Sequence, residues 1–157
     1  MGRNKYLFVS VMLLAIALAG GIFTKVYVNM EAQRQKGQEI CVVTSFYPIY
    51  IAACNVAKDS PGIVVENLSE PQTGCLHDYP LTPQDMILLS GADLFLVNGG
   101  GIENFLARVG QSCPALAIVE TSEGTDMQEE NAHVWMDTRR YKLMVENIAE
   151  AFMEADP

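Results

Sequence analysis

The sequence predicts an α/β fold: a three-layer lobe with a mainly parallel four-stranded sheet flanked by helices. Two observations carry this expectation. Four short apolar, β-branched runs (residues 40–46, 63–68, 93–97 and 115–119) alternate with segments whose apolar residues recur at helical spacing. Such alternation builds a parallel sheet covered on both faces. The 119 residues from 39 to 157 also suit one core and one domain.

Taken in order, Ile40 to Phe46 reads as a buried strand, and Pro48 opens a helix with Ile49, Ala53, Val56 and Ala57 on one face. Pro61-Gly62 turns the chain into a second strand, Ile63 to Leu68. Ser69 to Leu81 holds two prolines, one glycine and no periodicity, so it reads as a long loop, and it contains His77. Thr82 is the expected N-cap of the next helix, with Pro83 first and Asp85 third in it, and Gly91 ends it. Asp93 to Val97 is the third strand. Asn98 to Gly101 is a glycine-rich turn, Ile102 to Val109 a short helix ended by Gly110, and Ala115 to Val119 the fourth strand. An acidic, polar stretch over 120–132 leads through His133-Val134-Trp135-Met136-Asp137 to a Thr138-capped helix with Met144, Ile148 and Phe152 four apart.

Loops 69–81, 98–101 and 120–133 all follow strands, and in parallel sheets such loops gather at one edge, where ligands bind. Both histidines of the chain sit in them. His77 and His133 are 56 positions apart, with Asp78 and Asp137 near at hand. Two imidazoles begin a site for Zn²⁺ or another late first-row ion, but supply only half of about four ligands. They must be neutral to ligate, so protons compete with metal. A loop histidine can equally do no more than satisfy a loop or helix end. Trp135 beside His133 could wall a dry metal pocket, whereas Tyr47, Tyr50 and Tyr79 read as packing. Gly99-Gly100-Gly101 lacks the spacing of a phosphate-binding loop. Ser45 and Ser69 lack a nucleophile elbow, and Cys75 lies too close in sequence to His77 to form a nucleophile and base with it.

Charge and the first residues set partners and compartment. Of 10 basic residues, Arg3, Lys5, Lys25, Arg34 and Lys36 precede Gln38, which leaves residues 39–157 with 18 acids against 5 bases. Such a body repels phosphate backbones, which excludes nucleic acid as a partner. Arg3 and Lys5 precede an apolar run from Tyr6 to Phe23. Residues 1–23 therefore read as a signal peptide, cleavable at Ala17-Leu18-Ala19, or as a membrane anchor if uncleaved, and 24–38 as a polar linker. Cys41, Cys54, Cys75 and Cys113 all fall in the exported part; they allow three disulfide pairings and contain no Cys-x-x-Cys.

Four ordered blocks carry a resemblance: Val42-Val43-Thr44-Ser45-Phe46-Tyr47-Pro48-Ile49-Tyr50; His77-Asp78-Tyr79-Pro80-Leu81-Thr82-Pro83-Gln84-Asp85; Ala92-Asp93-Leu94-Phe95-Leu96-Val97-Asn98-Gly99-Gly100-Gly101-Ile102-Glu103; and Asn131-Ala132-His133-Val134-Trp135-Met136-Asp137. Together they resemble the zinc/manganese substrate-binding proteins of ABC importers. The resemblance implies that residues 39–157 form the N-terminal metal-binding lobe of a two-lobed protein, the second lobe being absent from this chain. It implies His77 and His133 as metal ligands, with further ligands from the second lobe and Asp78 and Asp137 orienting rings or capping helices. Its expected substrate is Zn²⁺, with Mn²⁺ as the alternative, captured outside the cytoplasm and handed to an ABC permease without catalysis. This chain departs from the family pattern in three places. No His-rich loop lies between Glu120 and Asn131, Leu76 stands where some zinc binders place a ligand, and no lipid-attachment Cys follows Gly20 or Gly21. Two rival readings of the same residues are an exported metallohydrolase and a membrane-anchored adhesion or structural domain without metal.

Overall fold

The computed structural model describes residues 3–36, 39–69, 76–127 and 131–155. Cys75, with the rest of 70–75, and the acidic residues 128–130 lie outside the described residues. The chain divides into two units, Met1–Gln38 and Glu39–Pro157. The first is a single helix, α1 (Arg3–Lys36), so the segment read as a polar linker is helical as far as Lys36. Tyr6–Tyr27 is long and apolar enough to cross a membrane, and its side chains are exposed. Length and composition alone would also suit a signal sequence.

The second unit runs β1 (Ile40–Thr44), α2 (Tyr47–Val56), β2 (Ile63–Asn67), a 3₁₀ turn (Leu76–Asp78), α3 (Pro83–Ser90), β3 (Leu94–Val97), α4 (Leu106–Ser112), β4 (Ala117–Glu120), a second 3₁₀ turn (Val134–Met136) and α5 (Thr138–Ala155). The four strands form one parallel sheet in the order β2-β1-β3-β4, as the α/β expectation requires. From β1 the chain steps one way to β2, then crosses to the other side for β3. The crevice between the C-terminal ends of β1 and β3 is therefore the topological switch point.

Side chains alternate across the strands and make two cores. Val42, Leu94 and Leu96 point to the face covered by α2 and α5, where Ile49, Met144 and Ile148 are fully buried. Val43, Phe95 and Val97 point to the other face, against Leu89 of α3 and Val109 of α4. Each such aliphatic or aromatic side chain contributes about 1.5–3 kcal/mol of hydrophobic stabilisation. The layers are helix, sheet and helix.

Several boundaries differ from the expectation, each for a local reason. The helix expected over Ile102–Val109 begins instead at Leu106, because Ile102 and Glu103 turn inward and are buried. It also continues past Gly110 to Ser112, held by the Cys113 N–H on the Val109 carbonyl. Strand β3 starts after Asp93, whose carboxylate accepts the Cys41 N–H at 2.9 Å. Strand β4 is displaced two residues at its start, to Ala117, since the Leu116 N–H is used in a turn onto Cys113. The expected Thr82 cap is present as a reciprocal capping box: Thr82 Oγ1 accepts the Asp85 N–H while Asp85 Oδ2 accepts the Thr82 N–H. Helix α5 is capped differently from expectation. Asp137, not Thr138, does the work: its Oδ1 accepts the N–H groups of Arg139 and Arg140, and these bonds hold its carboxyl below the usual range.

Candidate metal centre

Polar side chains tie down the described starts of the loops after β2 and β4. After β2, Thr44 donates its hydroxyl to Asn67 Oδ1 at 2.9 Å, and the Asn67 amide donates to the Ser69 carbonyl. After β4, Thr121 donates to the Val97 carbonyl, and the Asn147 amide of α5 donates to the carbonyls of Thr121 and Glu123. The Tyr141 hydroxyl donates to the Pro48 carbonyl at 2.8 Å, fixing α5 against the start of α2.

His77 lies in the first 3₁₀ turn and is half-buried; His133 immediately precedes the second and is exposed. Their ring centroids are 6.1 Å apart. Two imidazoles sharing one zinc ion, with Zn–N near 2.0–2.1 Å, would place their centroids roughly 5 Å apart. A closure of roughly 1 Å, within the reach of side-chain torsions, would complete the pair. The row of rings continues from His133 to Trp135 at 5.0 Å and from Trp135 edge-on to Phe46 at 4.7 Å. Trp135 thus shields one flank of His133.

Asn131 decides which His133 nitrogen is available. Its Oδ1 accepts the His133 backbone N–H at 3.0 Å, so that atom is the acceptor oxygen. The same Oδ1 lies 2.8 Å from His133 Nδ1, which must then carry the proton. The lone pair is left on Nε2, the arrangement that second-sphere carbonyl groups impose on metal-binding histidines. Of the two roles expected of Asp137, orienting a ring or capping a helix, it takes the second, and Asn131 holds the His133 ring. Asp78 is exposed beside His77. An Asn two residues before a histidine is an Asx-turn signal that the sequence did offer.

Glu103, which ends the third block of the resemblance, is a buried carboxylate to which the sequence reading gave no role. Glu103, 3% exposed, accepts the Ser45 hydroxyl at 2.8 Å and the Asn98 N–H at 2.7 Å on Oε1, and the Gly99 N–H at 3.1 Å on Oε2. Burial pushes its pKa up, against the downward pull of those hydrogen bonds. Ser45 is thus a donor to this carboxylate rather than a nucleophile. Gly99 has φ +84°, and a Cβ there would collide with the Glu120 carboxylate, which explains a glycine at this turn without invoking phosphate. Among the described residues, no three of His, Cys, Asp and Glu stand close enough to hold a metal ion. Cys41, Cys54 and Cys113 are free thiols.

Residues 42–157 match the family described as zinc-uptake complex component A, periplasmic. The chain belongs to that family. It is 34% identical over 125 residues to the iron-binding protein YfeA of Yersinia pestis, covering 74% of this chain and 39% of YfeA. It is 30% identical over 131 residues to the manganese-binding lipoprotein MntA of Halalkalibacterium halodurans, covering 78% of this chain and 42% of MntA. The metal-dependent lipoprotein YcdH of Bacillus subtilis superposes with a TM-score of 0.67 at 31% identity, over 75% of this chain and 45% of YcdH. The chain spans about two fifths of the length of the curated relatives it matches. These descriptions name bound metals and uptake, and none names a reaction.

Proposed function

We propose that residues 39–157 act as the N-terminal, metal-binding lobe of an extracytoplasmic solute-binding protein that captures a divalent transition ion and delivers it to an ABC permease. His77 and His133 are two of the ligands, His133 through Nε2, and a second lobe supplies the rest. Zn²⁺ is the leading substrate and Mn²⁺ the alternative. Residues 1–23 serve as export signal or membrane anchor and 24–38 as the connection to the lobe. The observation that carries this reading is the approach of two rings, from loops 56 residues apart, to 6.1 Å at the sheet's switch point. Family membership supports it. The hydrolase alternative loses support because a hydrolytic site needs a third protein ligand and a general base beside the ion, and among the described residues no third such group stands with the two rings.

The test is calorimetric titration of the full chain, in nonionic detergent, with Zn²⁺ and Mn²⁺, alongside His77→Ala and His133→Ala. Saturable binding that disappears in either variant is expected. Binding indifferent to both substitutions, or none in the unaltered chain, refutes the assignment of this pair as ligands.

A further inference from the structure

Two asparagines of the segment between β3 and α4 reach toward the two histidine loops. The Asn104 side-chain amide donates to the main-chain carbonyl of His77 itself at 2.7 Å. On the other side, Glu103 Oε1 holds the Asn98 N–H at 2.7 Å, and the Asn98 amide donates at 2.9 Å to the carbonyl of Ala132, the residue before His133. Asn98 is fully buried, so its amide geometry is dictated by these partners. A second bond from the same amide, to the Gly99 carbonyl at 2.9 Å, locks it further.

We propose that Asn98 and Asn104 are the positioning residues of the metal site, setting the separation of the two imidazoles by clamping the backbone beside each ring, with Glu103 holding Asn98 in place. The inference rests on the reading of His77 and His133 as ligands. Its physical content is preorganisation: the residues next to each ring are held before an ion arrives, so binding need not order two loops that are separate in sequence. Both clamps act on main-chain carbonyls beside the rings, Asn104 on that of His77 and Asn98 on that of Ala132. Asn104 is exposed, so its removal leaves no buried group unsatisfied on its own side chain. This makes it the cleaner probe of the two.

The experiment uses the full chain in detergent micelles with Asn104→Ala, Asn104→Asp and Asn104→Gln. Two quantities are measured: the NMR contact between the His77 and His133 rings without metal, and the Zn²⁺ dissociation constant. Alanine should weaken Zn²⁺ binding about tenfold, as loss of outer-sphere partners does, and should reduce the ring–ring contact while leaving the unfolding midpoint unchanged. Aspartate, which removes the donor at constant shape, should do the same. Glutamine, which keeps the donor, should recover much of the affinity. An unchanged ring–ring contact in the alanine and aspartate variants overturns the positioning role. If that contact is reduced while the unaltered chain binds no Zn²⁺ through its histidines, the positioning role stands and the metal assignment falls.

Discussion

Replacing Glu103 by alanine should be among the costliest single changes in the lobe. The substitution strips the acceptor from three donors at once: the Ser45 hydroxyl, the Asn98 N–H and the Gly99 N–H, on residues that are all buried. Each buried donor left without a partner costs about 1–3 kcal/mol. Part of this is offset because the carboxylate's own desolvation is relieved, leaving a net loss of about 3–5 kcal/mol. That is a large share of the roughly 5–15 kcal/mol that holds a domain together. Glu103→Gln should be milder, about 1–2 kcal/mol, since the amide oxygen can keep two of the bonds while the NH₂ faces the Gly99 N–H. The two variants also differ in pH behaviour. The folded carboxyl is raised above its ordinary 4.5, so the native state binds this proton more tightly than the unfolded chain does. Stability from this group therefore falls as pH rises from the unfolded value through the folded one, then levels off. Glutamine removes that slope. Denaturant titration followed by the fluorescence of Trp135, the single tryptophan, measures both effects. An alanine variant within about 0.5 kcal/mol of the parent would refute the account, as would a gap between parent and glutamine variant that ignores pH.

Other expectations follow from single sites. The Asp137 carboxyl is held down by its bonds to the Arg139 and Arg140 N–H groups, so its contribution is present above the ordinary value of 3.8 and lost as pH falls through the lower folded value. Asp137→Ala should abolish that acid-side component of the stability curve. Gly99→Ala should destabilise the lobe by about 2 kcal/mol or more, through a positive φ and the collision with Glu120, as read by thermal unfolding. Asn131→Ala frees the His133 ring to change tautomer, so Zn²⁺ affinity should drop about tenfold with little change in unfolding midpoint. Histidine ¹⁵N shifts would report the tautomer directly.

The parallel sheet was legible because four β-branched runs and their intervening helices have different periods, and period survives without tertiary information. The Thr82-Pro83-Asp85 start was legible because a capping box is local chemistry. Two features failed for complementary reasons. Thr138 and Asp137 are both good caps one residue apart, and composition alone cannot rank them; the Asp137 side chain wins by reaching two N–H groups. Glu103 falls second in the stretch read as a short helix from Ile102 to Val109, but its partners Ser45 and Asn98 stand just past the ends of β1 and β3, a juxtaposition that exists only after the sheet has formed. The pairing of His77 and His133 sits between these cases. Topology announces a common edge, while the 6.1 Å separation depends on the clamps beneath.

That division bears on what the lobe can and cannot select. Two neutral imidazoles favour late first-row ions over Mg²⁺ and Ca²⁺ but rank iron, manganese and zinc mainly by intrinsic affinity, with manganese weakest. A site made only of this pair would therefore prefer zinc to manganese whatever the rest of the chain did. Yet relatives matching over this same stretch are described as binding iron and manganese. Discrimination in favour of the weaker-binding ions must then come from donors that complement the pair, above all carboxylate oxygens and the coordination number they enforce. If His77 and His133 are ligands as proposed, the histidine edge is a docking point common to several metals, open on the His133 side. Grafting a different complement of donors opposite it should change the metal without changing the edge.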